Sequence, residues 1–178
     1  LTQISLPYSI TEIGSGAFYG CSSLKQISIP IFLTSIKDYV FNECFSLTQV
    51  IIPSSVTSIG IDAFLRCESL KQITFSSPSS LTSIKCNAFN GCSLLQISIP
   101  SSVTSIGNSV FNGCFSLTQI SILSPVISIG KYVFNNCSSL TEITIPSSFN
   151  PIEKNIFYCC PKIEKIIIAQ VNEERIRC

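Results

Sequence analysis

The chain of 178 residues contains no histidine, no methionine and no tryptophan. Histidine is the usual general base and the usual partner of a catalytic serine or cysteine, so its absence removes the commonest hydrolytic and transfer constellations. Zinc sites that use an imidazole ligand go with it. There are ten cysteines but no Cys-x-x-Cys pair, which makes a cysteine-only metal site a weak reading. No Gly-x-x-x-x-Gly-Lys-Ser/Thr loop is present to cradle a phosphate, and Gly14, Gly16 and Gly20 do not have dinucleotide-binding spacing. No set of catalytic roles can be filled, so the chain reads as non-enzymatic, with no catalytic residue, no cofactor and no metal. Charge is scarce as well. Only 12% of residues are charged, the net charge is +1, and none lies between Cys86 and Gly130. Nothing in that balance attracts nucleic acid or an anionic membrane surface. No apolar run approaches the roughly 20 residues that a membrane-spanning helix needs, so direct membrane insertion of this segment is not expected.

What the sequence has instead is one phrase written many times. Ile-Pro-Ser-Ser-Val-Thr-Ser-Ile-Gly runs from Ile52 to Gly60 and again from Ile99 to Gly107. Segments begin at Leu1, Leu24, Leu47, Leu70, Leu94, Leu117 and Leu140, with a partial one at Ile163. The fourth segment carries two extra residues near Pro78 and lacks one after Cys92. Each reads roughly L-x-x-I-x-I-P-S-S-V-T-S-I-G-x-x-A-F-x-x-C-x-S. The phenylalanine recurs as Phe18, Phe41, Phe64, Phe89, Phe111, Phe134 and Phe157. A fixed period of this length is the signature of stacked units, none of which can bury its apolar side alone.

Within a segment, the fourth and sixth residues alternate with the fifth, as a strand with one buried face requires. Proline then ends the strand, because it offers no N–H. Val-Thr-Ser-Ile is short and β-branched and predicts a second, shorter strand. Gly60, Gly107 and Gly130 are expected to allow a sharp bend at its end. Ala-Phe leaves room for one helical or 3₁₀ turn. Stacking then gives a curved right-handed repeat solenoid. It has a long parallel β-sheet, a second row of short strands and one short helical or 3₁₀ turn per repeat. Residues 1–169 form this solenoid, and residues 170–178 are a charged tail or the start of a cap. The chain opens on the first residue of a repeat, with no polar cap and no visible signal peptide, which reads as a fragment of a longer protein.

The pattern L-x-x-I-x-I-P-x-x-V-x-x-I-x-x-x-A-F-x-x-C resembles the BspA-like class of leucine-rich repeat, over Leu1 to about Ala169. Departures are local: Lys37, Lys85 and Glu153 replace the glycine, and Leu123 replaces the proline. The resemblance implies a surface or secreted protein of a host-associated bacterium or parasitic protist, used for adhesion or protein binding. It also implies no enzymatic activity in the repeats. A cytoplasmic scaffold and a structural spacer are the alternatives.

Two ladders remain to be assigned. Cys21, Cys44, Cys67, Cys92, Cys114, Cys137 and Cys160 share one phase, which reads as a stack of small buried thiols rather than a disulfide framework. Cys86, Cys159 and Cys178 fall outside it, with Cys86 expected at the surface. Asn136-Cys137-Ser138 has the form of a glycosylation acceptor, but its middle residue is expected in the core. On the outward side of the strands, Gln26, Gln49, Gln72, Gln96 and Gln119 form a flat row flanked by Lys25, Thr48, Lys71 and Thr118. The bland reading is that stacked amides bond to one another and keep the sheet wet. The functional one is a binding surface for a protein or glycan, such as a host-surface or matrix component, since solenoids commonly bind on an extended sheet face.

Overall fold

A computed structural model describes residues 2–122, 126–149 and 154–169. It is a parallel β-solenoid with almost no helix. Along the chain the strands are β1 (Gln3–Ser5), β2 (Gln26–Ser28), β3 (Ser35–Ile36), β4 (Gln49–Ile52), β5 (Ser58–Ile59), β6 (Gln72–Phe75) and β7 (Ser83–Ile84). They continue as β8 (Gln96–Ile99), β9 (Ser105–Ile106), β10 (Gln119–Ile122), β11 (Ser128–Ile129), β12 (Glu142–Pro146) and β13 (Lys165–Ala169). Every pairing is parallel and keeps the sequence phase, for example Gln3 with Gln26, Gln96 with Gln119 and Glu142 with Lys165. Both expected strand rows exist. The short row runs unbroken from β3 to β11. Prolines close the long strands β4 and β8 from outside. Pro146 departs from this: it is the last residue of β12 and lies beside Ala169.

The long strands show the alternation that the sequence predicts. In β4, for instance, Gln49 and Ile51 are exposed while Val50 and Ile52 are buried. Behind them like residues pile on like. Leu24, Leu47, Leu70, Leu94, Leu117 and Leu140 are fully buried. The seven phenylalanine rings stack in one column from Phe18 to Phe157, with neighbouring centroids 5.1 to 5.7 Å apart. Near-parallel rings at this spacing are the offset-stacked arrangement, which adds to the area term of burial.

The turn after the short strand corrects the expectation of a helical or 3₁₀ turn in each repeat. Among the described residues only Lys154–Phe157 is 3₁₀. Elsewhere the turn carries left-handed residues at two fixed phases. Tyr39, Asp62, Asn87, Ser109 and Tyr132 have positive φ at one phase, and Glu43, Arg66, Asn136 and Cys159 have it at another four residues on. Non-glycine residues are strained there by roughly 1–2 kcal/mol each. The geometry has a return. It turns alternate N–H groups toward the next coil, where Tyr39, Phe41 and Glu43 donate to the carbonyls of Ile61, Ala63 and Leu65 at 2.8–2.9 Å. A helix would have kept these donors to itself, and the coils would not be joined on this side.

The glycines serve a different purpose from the bend first expected. Gly60, Gly107 and Gly130 do not have positive φ. A Cβ on Gly60 would lie 2.5 Å from Asp38 Oδ1 and 2.6 Å from Asp38 N, and one on Gly107 would lie 2.6 Å from Cys86 N. Close approach of the coil beneath therefore selects glycine. The replacements Leu123 and Glu153 and the tail 170–178 lie outside the described residues.

The cysteine ladder is buried from Cys44 to Cys137, with Cys21 and Cys160 half-buried at its ends, and the described cysteines are all unbridged. Each thiol from Cys44 onward donates to the carbonyl of the phenylalanine in the preceding coil, as in Cys67 to Phe41 at 3.1 Å and Cys114 to Phe89 at 3.3 Å. That carbonyl already accepts an N–H from its own coil, as Phe41 does from Cys44. The residue this phase requires is thus small, apolar and a weak donor. Burial pushes the Cys44 and Cys114 thiols up to about 12. Cys137 is also raised, first by its contact with Cys160 and then by burial. Cys86 is half-buried rather than at the surface, because the next coil passes directly over it at Gly107.

Candidate binding face

The first residue of each long strand from β1 to β10 is a glutamine, and the strand pleat turns all of them outward. Lys25, Gln26, Thr48, Gln49, Lys71, Gln72, Gln96, Thr118 and Gln119 are all exposed. The structure therefore brings the predicted residues onto one face. Two details differ from the sequence reading.

First, the amides do not bond to one another. Among the described residues the bonds made by this glutamine row are Gln72 Nε2 to Thr74 Oγ1 and Gln119 Nε2 to Glu142 Oε1. The remaining donors and acceptors face solvent. Thr48 and Thr118 are partly committed: their hydroxyls donate to the carbonyls of Lys25 and Leu95 in the preceding coil. They act as staples between coils as well as surface groups. Lys25 and Lys71 have no carboxylate within ion-pair distance among the described residues, whereas Lys165 pairs with Glu142.

Second, the row is not a continuous flat stripe. The long sheet is divided into β1–β2, β4–β6 and β8–β10–β12–β13. Two clefts mark the divisions. One of about 310 Å³ lies between β2 and β4, walled by Gln26, Ser28, Gln49 and Ile51. The other, about 1020 Å³, lies between β6 and β8, with Gln72 and Thr74 on one wall and Gln96 and Ser98 on the other. The larger cleft includes the stretch Ser76–Ser79, where the fourth segment carries its extra residues. The lengthened corner carries that coil away from its neighbour on the sheet side. At the back the coils stay joined, through Ser83 with Ser105 and Ile84 with Ile106.

A small apolar group also went unread in the sequence. Ile31 and Phe32 replace the Ser-Ser corner of the second segment and are 63% and 54% exposed. Ile51, 61% exposed, lines the smaller cleft together with Ile31. The loss of both serines from a corner that keeps at least one in every other full segment was the available signal. Among the described residues no three histidine, cysteine, aspartate or glutamate side chains gather to hold a metal ion. No helix there is long and apolar enough to cross a membrane.

These ladders and strand rows define a leucine-rich-repeat solenoid. The chain belongs to the BspA-type leucine-rich repeat region family, whose profile matches residues 1–115 and 74–177 with six copies. No curated protein sequence matches it significantly. Among solved structures it is similar to a T. pallidum leucine-rich repeat protein, with 26% identity and a TM-score of 0.70 over 95% of this chain and 70% of that one. It also shares its fold with a leucine-rich cell surface protein of Faecalibacterium prausnitzii, at 23% identity and a TM-score of 0.56 over 95% of this chain and 79% of that one. The pneumococcal vaccine antigen PcpA matches at 21% identity and a TM-score of 0.59, over 93% of this chain and 58% of that one.

Proposed function

We propose that this chain is a non-enzymatic interaction module of a surface or secreted protein, and that it presents its long-sheet face to a protein or glycan partner. The observation that carries the reading is the row of exposed glutamines whose amides are left largely unsatisfied by one another. A row needed only for stacking would close its hydrogen bonds between coils, as the threonine and cysteine ladders do. Several coils can touch one partner at once, and weak polar contacts then add over a large area. An extracellular location is supported by the family and by two relatives of the same fold, one named a cell surface protein and the other a vaccine antigen.

The test replaces Gln49, Gln72 and Gln96 together with glutamate. A comparison variant makes the same net charge change away from the sheet, by Ile61→Glu, Ile127→Glu and Lys131→Gln. Both are checked for parental folding and assayed on host-cell surfaces and immobilised matrix proteins. The sheet-face variant should lose binding and the comparison variant keep it. The reverse pattern puts the site on another face. A parent chain that binds nothing in this screen is better described as a structural spacer.

A further inference from the structure

The larger cleft is a basin on the sheet face, not a slot that another strand could enter. Leu95 N–H donates to the Lys71 carbonyl at 3.3 Å, so the two coils stay joined where β6 and β8 begin. A strand lying between them would need them roughly 9.6 Å apart, twice the usual spacing. What the basin offers is side chains. It runs along the strands from Lys71 and Leu95 at their start to the corners 76–79 and 101–102 at their end. Thr74 and Ser98 lie between, turned outward by the pleat on the same face as Gln72 and Gln96, and all four are exposed. The lengthened, serine-rich corner of the fourth segment bounds the far end. Gln72 Nε2 donates to Thr74 Oγ1, which leaves the threonine proton free to donate in turn. Amides and hydroxyls of this kind both donate and accept. Leu95 is 50% exposed and is the one apolar residue at a position where every other segment has threonine, lysine or glutamate. One charged residue lines the basin, Lys71, which has no carboxylate partner among the described residues.

We infer that this basin binds an oligosaccharide carrying a carboxylate, with its hydroxyls on Gln72, Thr74, Gln96 and Ser98 and its acid on Lys71. The inference rests on the sheet-face reading above and names the partner class. A sugar ring displays hydroxyls that donate and accept, set around an apolar C–H face. The basin has a counterpart for each: the amide and hydroxyl side chains for the first, Leu95 for the second. An extended peptide is recognised mainly through its backbone on an open strand edge, and the joined coils leave no room for one. A nucleic acid gains affinity with each phosphate neutralised, which a single lysine does not provide. The volume of about 1020 Å³ lies at the upper end of the range for small-molecule sites, about 300–1,000 Å³, and suits a few sugar rings rather than one. With no acidic side chain in the basin and no charge at its far end, Lys71 fixes which way the oligosaccharide lies.

The probes are trigalacturonate and sialyllactose, each titrated calorimetrically into the whole chain beside its uncharged counterpart, the trigalacturonate methyl ester or lactose. The two acids separate a uronate from a sialic acid as the source of the carboxylate. At least one should bind about tenfold more tightly than its counterpart, and Lys71→Gln should erase that difference, as the loss of one close charge contact would. Ser98→Leu should abolish binding by filling the floor, with the melting temperature unchanged because the position is exposed. Nuclear magnetic resonance gives a reading that needs no variant: bound sugar should shift the side-chain amide signals of Gln72 and Gln96 and leave those of Gln3 and Gln26 in place. Acidic and uncharged probes that bind equally, shifts confined to other glutamines, or full binding by the Ser98→Leu protein overturn the inference. So does cell-surface binding that survives periodate oxidation of the cells, which would make the partner a protein. If neither acid binds while Gln49/Gln72/Gln96→Glu still abolishes cell-surface binding, the basin assignment falls and the sheet-face reading stands. If the parent binds neither sugars nor cells, both fall.

Discussion

Phe111 sits in the middle of the aromatic column and tests the packing most directly. Its side chain is 0% exposed, and its ring stacks on Phe89 and Phe134 with centroids 5.7 Å away on each side. Truncation of a buried phenylalanine to alanine costs about 3–5 kcal/mol. Two stacking partners are lost here, each worth about 0.5–1.5 kcal/mol beyond area, so Phe111→Ala belongs in the upper half of that range. At about 2–4 °C per kcal/mol for a chain of this size, the melting midpoint should fall by roughly 8–20 °C. Phe18, which is partly exposed and stacks only on Phe41, should cost about half as much. The assay is urea denaturation followed both by far-UV circular dichroism and by tyrosine fluorescence. Coincident transitions establish that one equilibrium is being measured, which a repeat array does not guarantee. Asn112→Ala, at a half-buried neighbour, is the control. A Phe111→Ala loss below about 1 kcal/mol, no larger than an ordinary surface substitution, refutes the column as a source of stability.

Three further outcomes follow from the coil-to-coil contacts. In native protein without reductant, a thiol reagent should modify exposed Cys159 readily and the ladder from Cys44 to Cys137 only after unfolding; ladder cysteines already paired in the unfolded sample would sink this assignment. Because burial holds the Cys44 and Cys114 thiols up to about 12, against an ordinary value of 9.0, both states keep these protons below pH 9. The unfolded chain alone releases them as pH rises, so stability should fall between about pH 9 and 12, by up to about 4 kcal/mol per such thiol; a flat stability profile in Cys114→Ala minus parent across that window would contradict it. Gly60→Ala should cost about 1–3 kcal/mol, because the new Cβ meets the Asp38 backbone and not just a side chain that could swing away, whereas Ser58→Ala nearby should be near neutral by the same denaturation measurement.

Most of the scaffold was legible because a fixed period forces like onto like. Once Leu, Phe and Cys each keep one phase, stacking leaves little freedom in where they go, and both strand rows follow from short-range alternation. The turn was not legible. Glycine, asparagine and aspartate hold some of its left-handed positions, but Tyr39, Glu43 and Arg66 hold others, residues with little preference for that conformation, and each of these donates its N–H to the next coil. The role of cysteine was half visible: its phase says small and buried, but the donor function depends on a phenylalanine carbonyl in another coil. The clefts show the same limit, since extra residues near Pro78 announce an irregular corner without saying which side of the coil it opens.

The glycine phase shows how such an inter-coil rule can be recovered. Gly60 and Gly130 stand over Asp38 and Asn108, whose side-chain oxygens accept the N–H groups of Ile61 and Lys131 at 2.7 and 2.8 Å. That acceptor, folded up against the next coil, and the backbone that carries it together occupy the space a Cβ would need. Gly107 stands over Cys86, where the backbone alone comes this close. The exceptions obey the same logic. Lys37 follows Ser15 in the preceding coil and Lys85 follows Ile61, and neither Ser15 nor Ile61 carries a short side-chain amide or carboxylate. The departures from the consensus are therefore not blemishes in single corners. Lys37 and Lys85 belong to pairs written 22 and 24 residues apart along the chain, and each is read against the coil beneath it rather than against its own neighbours in sequence.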